Sequence, residues 1–285
     1  MTPLDAAVLA ALAGVLGFVF YKAATGLNYH WNWDIIPQFL LRYDEQTRSW
    51  RPGPLTLGLF ATIRLSLWSG ILAMILGLII SLFRVSPSLF KRQIGTTYVG
   101  LIRNTPPLVL IFIFYFFIGD QIISLLGVDT FVYTLSDGTK DFLSWFFGPM
   151  NRFPQFISAL ITLALFEAAY IAEILRAGIE SVEKGQWEAS ASMGMSRSQS
   201  MLHVILPQAL QRMLPALAGQ FISIVKDSAI VSVISIEELT FQAQQLMTTT
   251  YRSFEIWTLV LIIYFVLTFL CSLAVRKLEL TLKRD

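Results

Sequence analysis

The chain has 285 residues, 55% hydrophobic and only 14% charged, with a net charge of +2 and a mean hydropathy of +0.64. A soluble domain carries about 25% charged residues, so this composition excludes an ordinary water-soluble fold and calls for several membrane-spanning helices. The small positive charge excludes a nucleic-acid-binding surface, and the single Cys271 excludes a disulfide framework or a thiolate metal site. His30 and His203 lie too far apart in sequence to suggest a metal pair. No H-E-x-x-H, G-x-S-x-G or P-loop occurs, so no catalytic residue, metal or cofactor is expected.

Residues 6–21 form the first apolar run. It lacks the basic residue and the small-residue cleavage site of a secretory signal, and reads as a retained helix. Residues 28–54 are polar and aromatic, with Trp31, Trp33 and Trp50, which suits a loop at the membrane interface. Residues 57–83 predict the second helix, and 85–92 a short basic turn. The third helix, 98–118, is entered through Pro106 and Pro107, which should kink or break its start. Residues 119–152, with Asp120, Asp129, Asp137 and Asp141, read as a second polar loop. Residues 156–177 predict the fourth helix, 209–234 a fifth interrupted by Pro215 and by Lys226 and Asp227, and 254–275 the sixth. Lys and Arg in the loops and at the helix ends divide eleven to seven in favour of the side bearing residues 185–207 and the C-terminus. The positive-inside rule places that side in the cytoplasm, and six crossings put the N-terminus there as well.

Residues 185–207, GQWEASASMGMSRSQSMLHVILP, are a polar island between two apolar segments. Its first half, 186–193, has no Pro or Gly and is rich in Ala and Ser; Gly194 follows, where a left-handed cap would end a helix. Ser196 with Gln199 forms a capping box that restarts a helix toward Pro207. A face of Ala and Ser has little bulk to bury in its own core and suits close approach by a second surface. An ordinary loop packed on its own bundle is the alternative.

Glu188-Ala189, Gly194 six residues after Glu188, and Ile205-Leu206-Pro207 resemble the cytoplasmic EAA loop of binding-protein-dependent ABC importer permeases, with Ser190 where that family usually has a second Ala. Residues 102–108 (IRNTPPL), 169–178 (AYIAEILRAG) and 225–228 (VKDS) resemble further signatures of the polar amino acid subfamily. The likeness covers roughly residues 56–277, in order. It implies an all-α integral membrane protein with six transmembrane helices, a type I (MetI-like) core of five plus one. In that scheme residues 1–25 are an extra N-terminal helix, 26–55 a periplasmic interfacial loop and 56–277 the transmembrane core. The core holds a periplasmic insertion at 119–152 and the coupling loop at 183–207, and 278–285 form a cytoplasmic tail. The resemblance also implies a bacterial inner-membrane location and a separate ATP-binding subunit docked through Gly185, Glu188, Ala189, Gly194 and Pro207. Further implied partners are a second permease subunit, identical or homologous, and a periplasmic amino-acid-binding protein, with alternating access as the mechanism.

A charge at membrane depth costs several kcal/mol unless paired or wetted, which makes each one a functional candidate. Lys226 and Asp227, followed by Ser228, are adjacent opposite charges. A free amino acid carries a carboxylate and an ammonium close together, so Lys226 suits the first and Asp227 the second in a water-lined helix break. A structural pair that neutralises itself against neighbouring helices is the other reading. Glu167, near mid-bilayer in the fourth helix, is the second candidate, either as a ligand for an ammonium group or as a partner of Lys226 or Arg64. Arg64 is the third, with snorkelling to the outer surface as the plainer reading. Glu173 and Arg176, three residues apart, predict a structural pair, and Arg103 an anchor. The rival function is an ion-coupled secondary carrier with Glu167 as its proton site. It leaves the island unexplained, and the chain shows no clear internal repeat of the kind such carriers contain. Trp31-Asn32-Trp33 resembles acidic amino acid permeases, a slight pointer to an acidic substrate.

Overall fold

The computed structural model describes residues 3–26 and 29–282 of the chain, which divides into two units, Met1–Ile35 and Ile36–Asp285. Lys283 and Arg284 of the expected tail lie outside the described residues. The first unit is helix α1 (Pro3–Gly26) and an aromatic segment in which the Trp31 and Trp33 rings stack at 5.8 Å. Leu4, Val8, Leu12 and Leu16 all stand exposed on α1. A helix apolar all round is at home in lipid or in the core of a larger assembly.

The second unit opens with α2 (Ile36–Leu40) and an antiparallel hairpin of β1 (Leu41–Asp44) and β2 (Ser49–Pro52). The segment expected as an interfacial loop at 28–54 thus contains a short helix and a hairpin. Asp44 Oδ1 accepts from the Gln46 backbone at 3.0 Å and closes the turn, Arg48 takes a left-handed φ of 48°, and Tyr43 pairs with Trp50 across the ladder. β-forming aromatics on either side of a polar turn were the signal for it.

Next come α3 (Pro54–Arg84), α4 (Leu89–Arg103) and α5 (Pro107–Ile113), which continues through a π turn (Phe114–Gly119). Pro106 and Pro107 therefore break the chain, and the third crossing starts at Pro107 instead of residue 98. The stretch expected as a polar loop at 119–152 is instead helical: α6 (Asp120–Leu126), α7 (Val128–Thr134), α8 (Asp137–Phe147) and a 3-10 turn (Met150–Arg152). Gly127 and Gly148, both at positive φ, punctuate these helices. α9 (Phe153–Glu180) leads to the island helices α10 (Lys184–Ser192) and α11 (Arg197–Ser200). A π turn (Met201–Ile205) then runs into α12 (Leu206–Asp227) and a 3-10 segment (Ser228–Ile234), followed by α13 (Leu239–Thr250) and α14 (Ser253–Leu282). Pro215 does not interrupt α12, contrary to expectation. Tertiary packing holds the helix through the lost backbone bond.

Among the described residues five segments are long and apolar enough to cross a membrane: Pro54–Arg84, Pro107–Thr134, Met150–Glu180, Arg197–Ile234 and Ser253–Lys277. The apolar part of α1, Pro3–Val19, is shorter. α9 is the central post, 67% buried over its most apolar stretch, whereas the last crossing is 6% buried. Close contact demands small residues. A Cβ on Gly77 of α3 would fall 2.6 Å from Ile171 Cγ2 on α9, and one on Gly178 of α9 would fall 2.9 Å from Met213 Cβ on α12. Both distances are shorter than real Cβ contacts allow, so these three helices meet only because glycine stands there.

Candidate functional site

Glu167 is the 15th residue of α9, about 21 Å along it, and is fully buried. Its Oε2 accepts from Gln220 Nε2 of α12 at 2.6 Å, and its carboxyl group touches that of Asp227 at the end of α12. Its Oε1 is buried and accepts no hydrogen bond. Two carboxyl groups in contact at membrane depth hold together only with a proton or a cation between them. The helix tightens from α to 3-10 at Ser228, whose Oγ donates back to the Val225 carbonyl at 2.8 Å. The break expected around Lys226 and Asp227 is thus a change of helical pitch.

Of the residues singled out by charge, the structure brings Glu167 and Asp227 together, keeps Lys226 beside Asp227, and leaves Arg64 apart. Lys226 is exposed on α12, and among the described residues the hydrogen bond to Glu167 comes from Gln220 and not from Lys226 or Arg64. Arg64 is turned toward the protein, with Nε donating to the Trp145 carbonyl at 3.0 Å and its guanidinium over the Phe60 ring. Glu173 and Arg176 pair at 2.6 Å as their spacing predicts. Arg84 and Arg103 join them, so Glu173 ties α3, α4 and α9 together at the island end.

The island has the local shape written in its residues. Gly194, at φ +79°, donates to the Ala191 carbonyl, and Met195 donates to the Ser190 carbonyl, the paired bonds of a Schellman cap on α10. Ser196 and Gln199 make both bonds of a capping box at the start of α11. Pro207 sits in the first turn of α12, where its missing N–H costs nothing. The mount is specific: Trp187 packs on the core, Ser190 and Ser200 are buried, Gln208 bonds Gln186 at 3.1 Å, and Arg212 bonds the Ser181 carbonyl. The outer side stays uncovered, with Gly185, Glu188, Ala189, Ser192 and Gly194 exposed and Met193 77% exposed.

Two residues escaped sequence reading. Gln220 lies seven residues before Asp227, two turns along one helix face, and that spacing was its signal. Glu238 follows the 3-10 segment and is fully buried. Its carboxylate caps α13 by accepting from Thr240 N at 2.9 Å and Phe241 N at 2.8 Å, and also accepts from Thr62 Oγ1 at 3.3 Å and Tyr264 OH at 2.9 Å. Burial pushes its pKa up to about 7, with the Thr240 and Phe241 amides pulling the other way. An acidic residue directly before a helical run, here the second of the pair Glu237-Glu238, is an N-cap signal.

A bundle of membrane-length helices around a buried polar cluster, carrying an uncovered helical knuckle at one end, defines a membrane transport subunit. Residues 55–284 match the binding-protein-dependent transport system inner membrane components, and the chain belongs to that family. It is 34% identical to the probable glutamine ABC transporter permease protein GlnM of Bacillus subtilis (strain 168), over 74% of this chain and 85% of that one. It is 35% identical to the L-cystine transport system permease protein TcyB of the same organism, over 80% and 86%. A solved structure described as an amino acid ABC transporter with histidines is 33% identical with a TM-score of 0.62, covering 79% of this chain and 92% of that one. The fold is therefore the expected all-α type I importer permease, and the ion-coupled carrier reading falls.

Proposed function

We propose that this chain is the membrane subunit of an ATP-driven importer for a polar amino acid, taking substrate from a periplasmic binding protein and passing it inward by alternating access. The observation that carries the coupling half is the knuckle: a capped helix pair, firmly mounted on the bundle, whose Ala, Ser and Gly face is exposed among the described residues. An ATP-binding subunit grips it through Gly185, Glu188, Ala189 and Gly194, with Pro207 fixing where α12 begins. The knuckle and both termini then lie in the cytoplasm, α1 is the sixth crossing, and a second permease subunit completes the path. Such coupling requires that the ATP-bound and free states hold this knuckle differently.

The substrate half rests on Glu167, Gln220 and Asp227. The unpartnered Oε1 of Glu167 and the carboxyl of Asp227 take the ammonium or another cationic group of the substrate, with Ser228 at the pitch change beside them. A neutral or cationic amino acid fits better than the acidic one hinted at by Trp31-Asn32-Trp33. Lys226 stands on the exposed face where a second subunit would approach, and from there meets the substrate carboxylate. Glu188→Lys tests the coupling half. The variant subunit should fold and insert normally yet lose the ATPase subunit on purification, or lose substrate-stimulated ATP hydrolysis. Full stimulation in that variant would refute the grip.

A further inference from the structure

At the end of the bundle away from the knuckle, the first turns of α3 and α9, the end of α8 and residues 235–237 enclose a cavity of about 350 Å³. Small-ligand sites run from roughly 300 to 1,000 Å³. Glu167, Gln220 and Asp227 are not in its wall, so it is separate from the cluster described above.

Its charges are not balanced. Arg152 pairs with Glu237 across the wall, and Arg64 adds a second guanidinium. Arg64 spends only its Nε, on the Trp145 carbonyl, and among the described residues neither Nη group has an acceptor. Trp68, one turn further along α3, donates to the Phe146 carbonyl at 3.2 Å. These two bonds cap the last turn of α8 and set its end as one side of the cavity. Gly148 follows in a left-handed conformation, φ +88°, and a Cβ there would lie 3.6 Å from Arg64 Nη1. The backbone thus bends away and leaves the guanidinium fork facing the space. The rest of the wall is mixed, with Leu57, Phe156 and Ile236 as its apolar part and Gln155, Ser235 and Gln242 as its neutral polar part.

We propose that this cavity is a second subsite for the transported amino acid, occupied before Glu167 and Asp227. Arg64 receives the α-carboxylate through its two free Nη groups, the geometry a planar guanidinium suits. Glu237 turns an oxygen to the ammonium, and the side chain lies on Leu57 and Phe156. The inference rests on the amino acid reading given above, but it places the carboxylate at a different address.

The test uses the purified complex, with its ATPase subunit, and three labelled probes of different charge: L-glutamine, L-arginine and L-glutamate. For whichever probe wild-type proteoliposomes take up, wild type should bind two equivalents per copy of this chain. Arg64→Gln should lose one equivalent and raise the uptake KM roughly tenfold or more, whereas Glu167→Gln should lose the other. Because Arg64→Gln also frees α8, Ala61→Phe serves as the second variant. It fills the cavity while keeping the Arg64 bond to Trp145, and should lose the same equivalent. A single equivalent in wild type, or two that survive both cavity variants, overturns the subsite and leaves the import reading intact. No uptake of any of the three by wild type overturns both.

Discussion

Glu167 and Glu238 are both fully buried carboxylates, yet their surroundings are opposite in kind. Glu238 is saturated, with two backbone amides and two hydroxyls from three helices converging on its oxygens. Glu167 has one amide donor, a carboxyl neighbour and an oxygen left over. A buried acceptor without a donor is costly, and a fold tolerates one where a partner arrives from elsewhere. A saturated carboxylate has nothing left to offer a visitor and serves as a fastener. Saturation, more than burial, separates the residue that holds the bundle from the one that awaits a ligand.

Substitutions at the two residues should therefore fail in different ways. The largest effect is expected for Glu238→Ala, which removes the α13 cap and orphans buried donors; a loss of about 3–4 kcal/mol in stability should appear as a lower Tm in detergent. A Tm near wild type would show the node to be ornamental. Glu167→Gln should leave Tm within about 1 kcal/mol equivalent but cut uptake at least roughly tenfold. If instead it melts early and still transports, the two residues have exchanged roles. Thr62→Val removes one donor to Glu238 and the acceptor of the Leu239 amide, 3.1 Å away, and should cost about 1–3 kcal/mol with transport kinetics unchanged. The smallest effect is a pH dependence. The Glu238 pKa is raised from 4.5 to about 7, so the folded state holds its proton over that window. Stability from this group is full below 4.5 and lost as pH rises through 7. Wild type should therefore gain on the order of 1 kcal/mol between pH 8 and pH 6, a gain absent in Glu238→Gln.

How legible each feature was in the sequence follows from the range of the interactions that make it. The knuckle was readable because both caps close within six residues: Gly194 and Met195 reach back to Ala191 and Ser190, and Ser196 reaches forward to Gln199. The depth of Glu167 was readable because helical rise is fixed. Its partners were not, since the rotation of α12 that brings Gln220 and Asp227 to α9 is set by Met213 packing against Gly178, a fact of tertiary contact. Lys226 and Asp227 are neighbours in sequence whose side chains diverge by about 100° on a helix, so adjacency alone does not say which of them faces α9. The hairpin at 41–52 and the helices of 119–152 were missed for another reason. Polar composition suggests a loop, whereas the elements there are set by local turns and caps such as Arg48, Gly127 and Gly148, all at positive φ.

Only Ser181, Val182 and Glu183 separate α9 from α10, and Arg212 ties the Ser181 carbonyl to α12. At its middle α9 lies against α3 with no room for a side chain at Gly77. There is no slack in this linkage. In the coupling proposed above, a push at Met193 is expected to pass to α9 and, through its contact with α3, toward the end that carries Arg64.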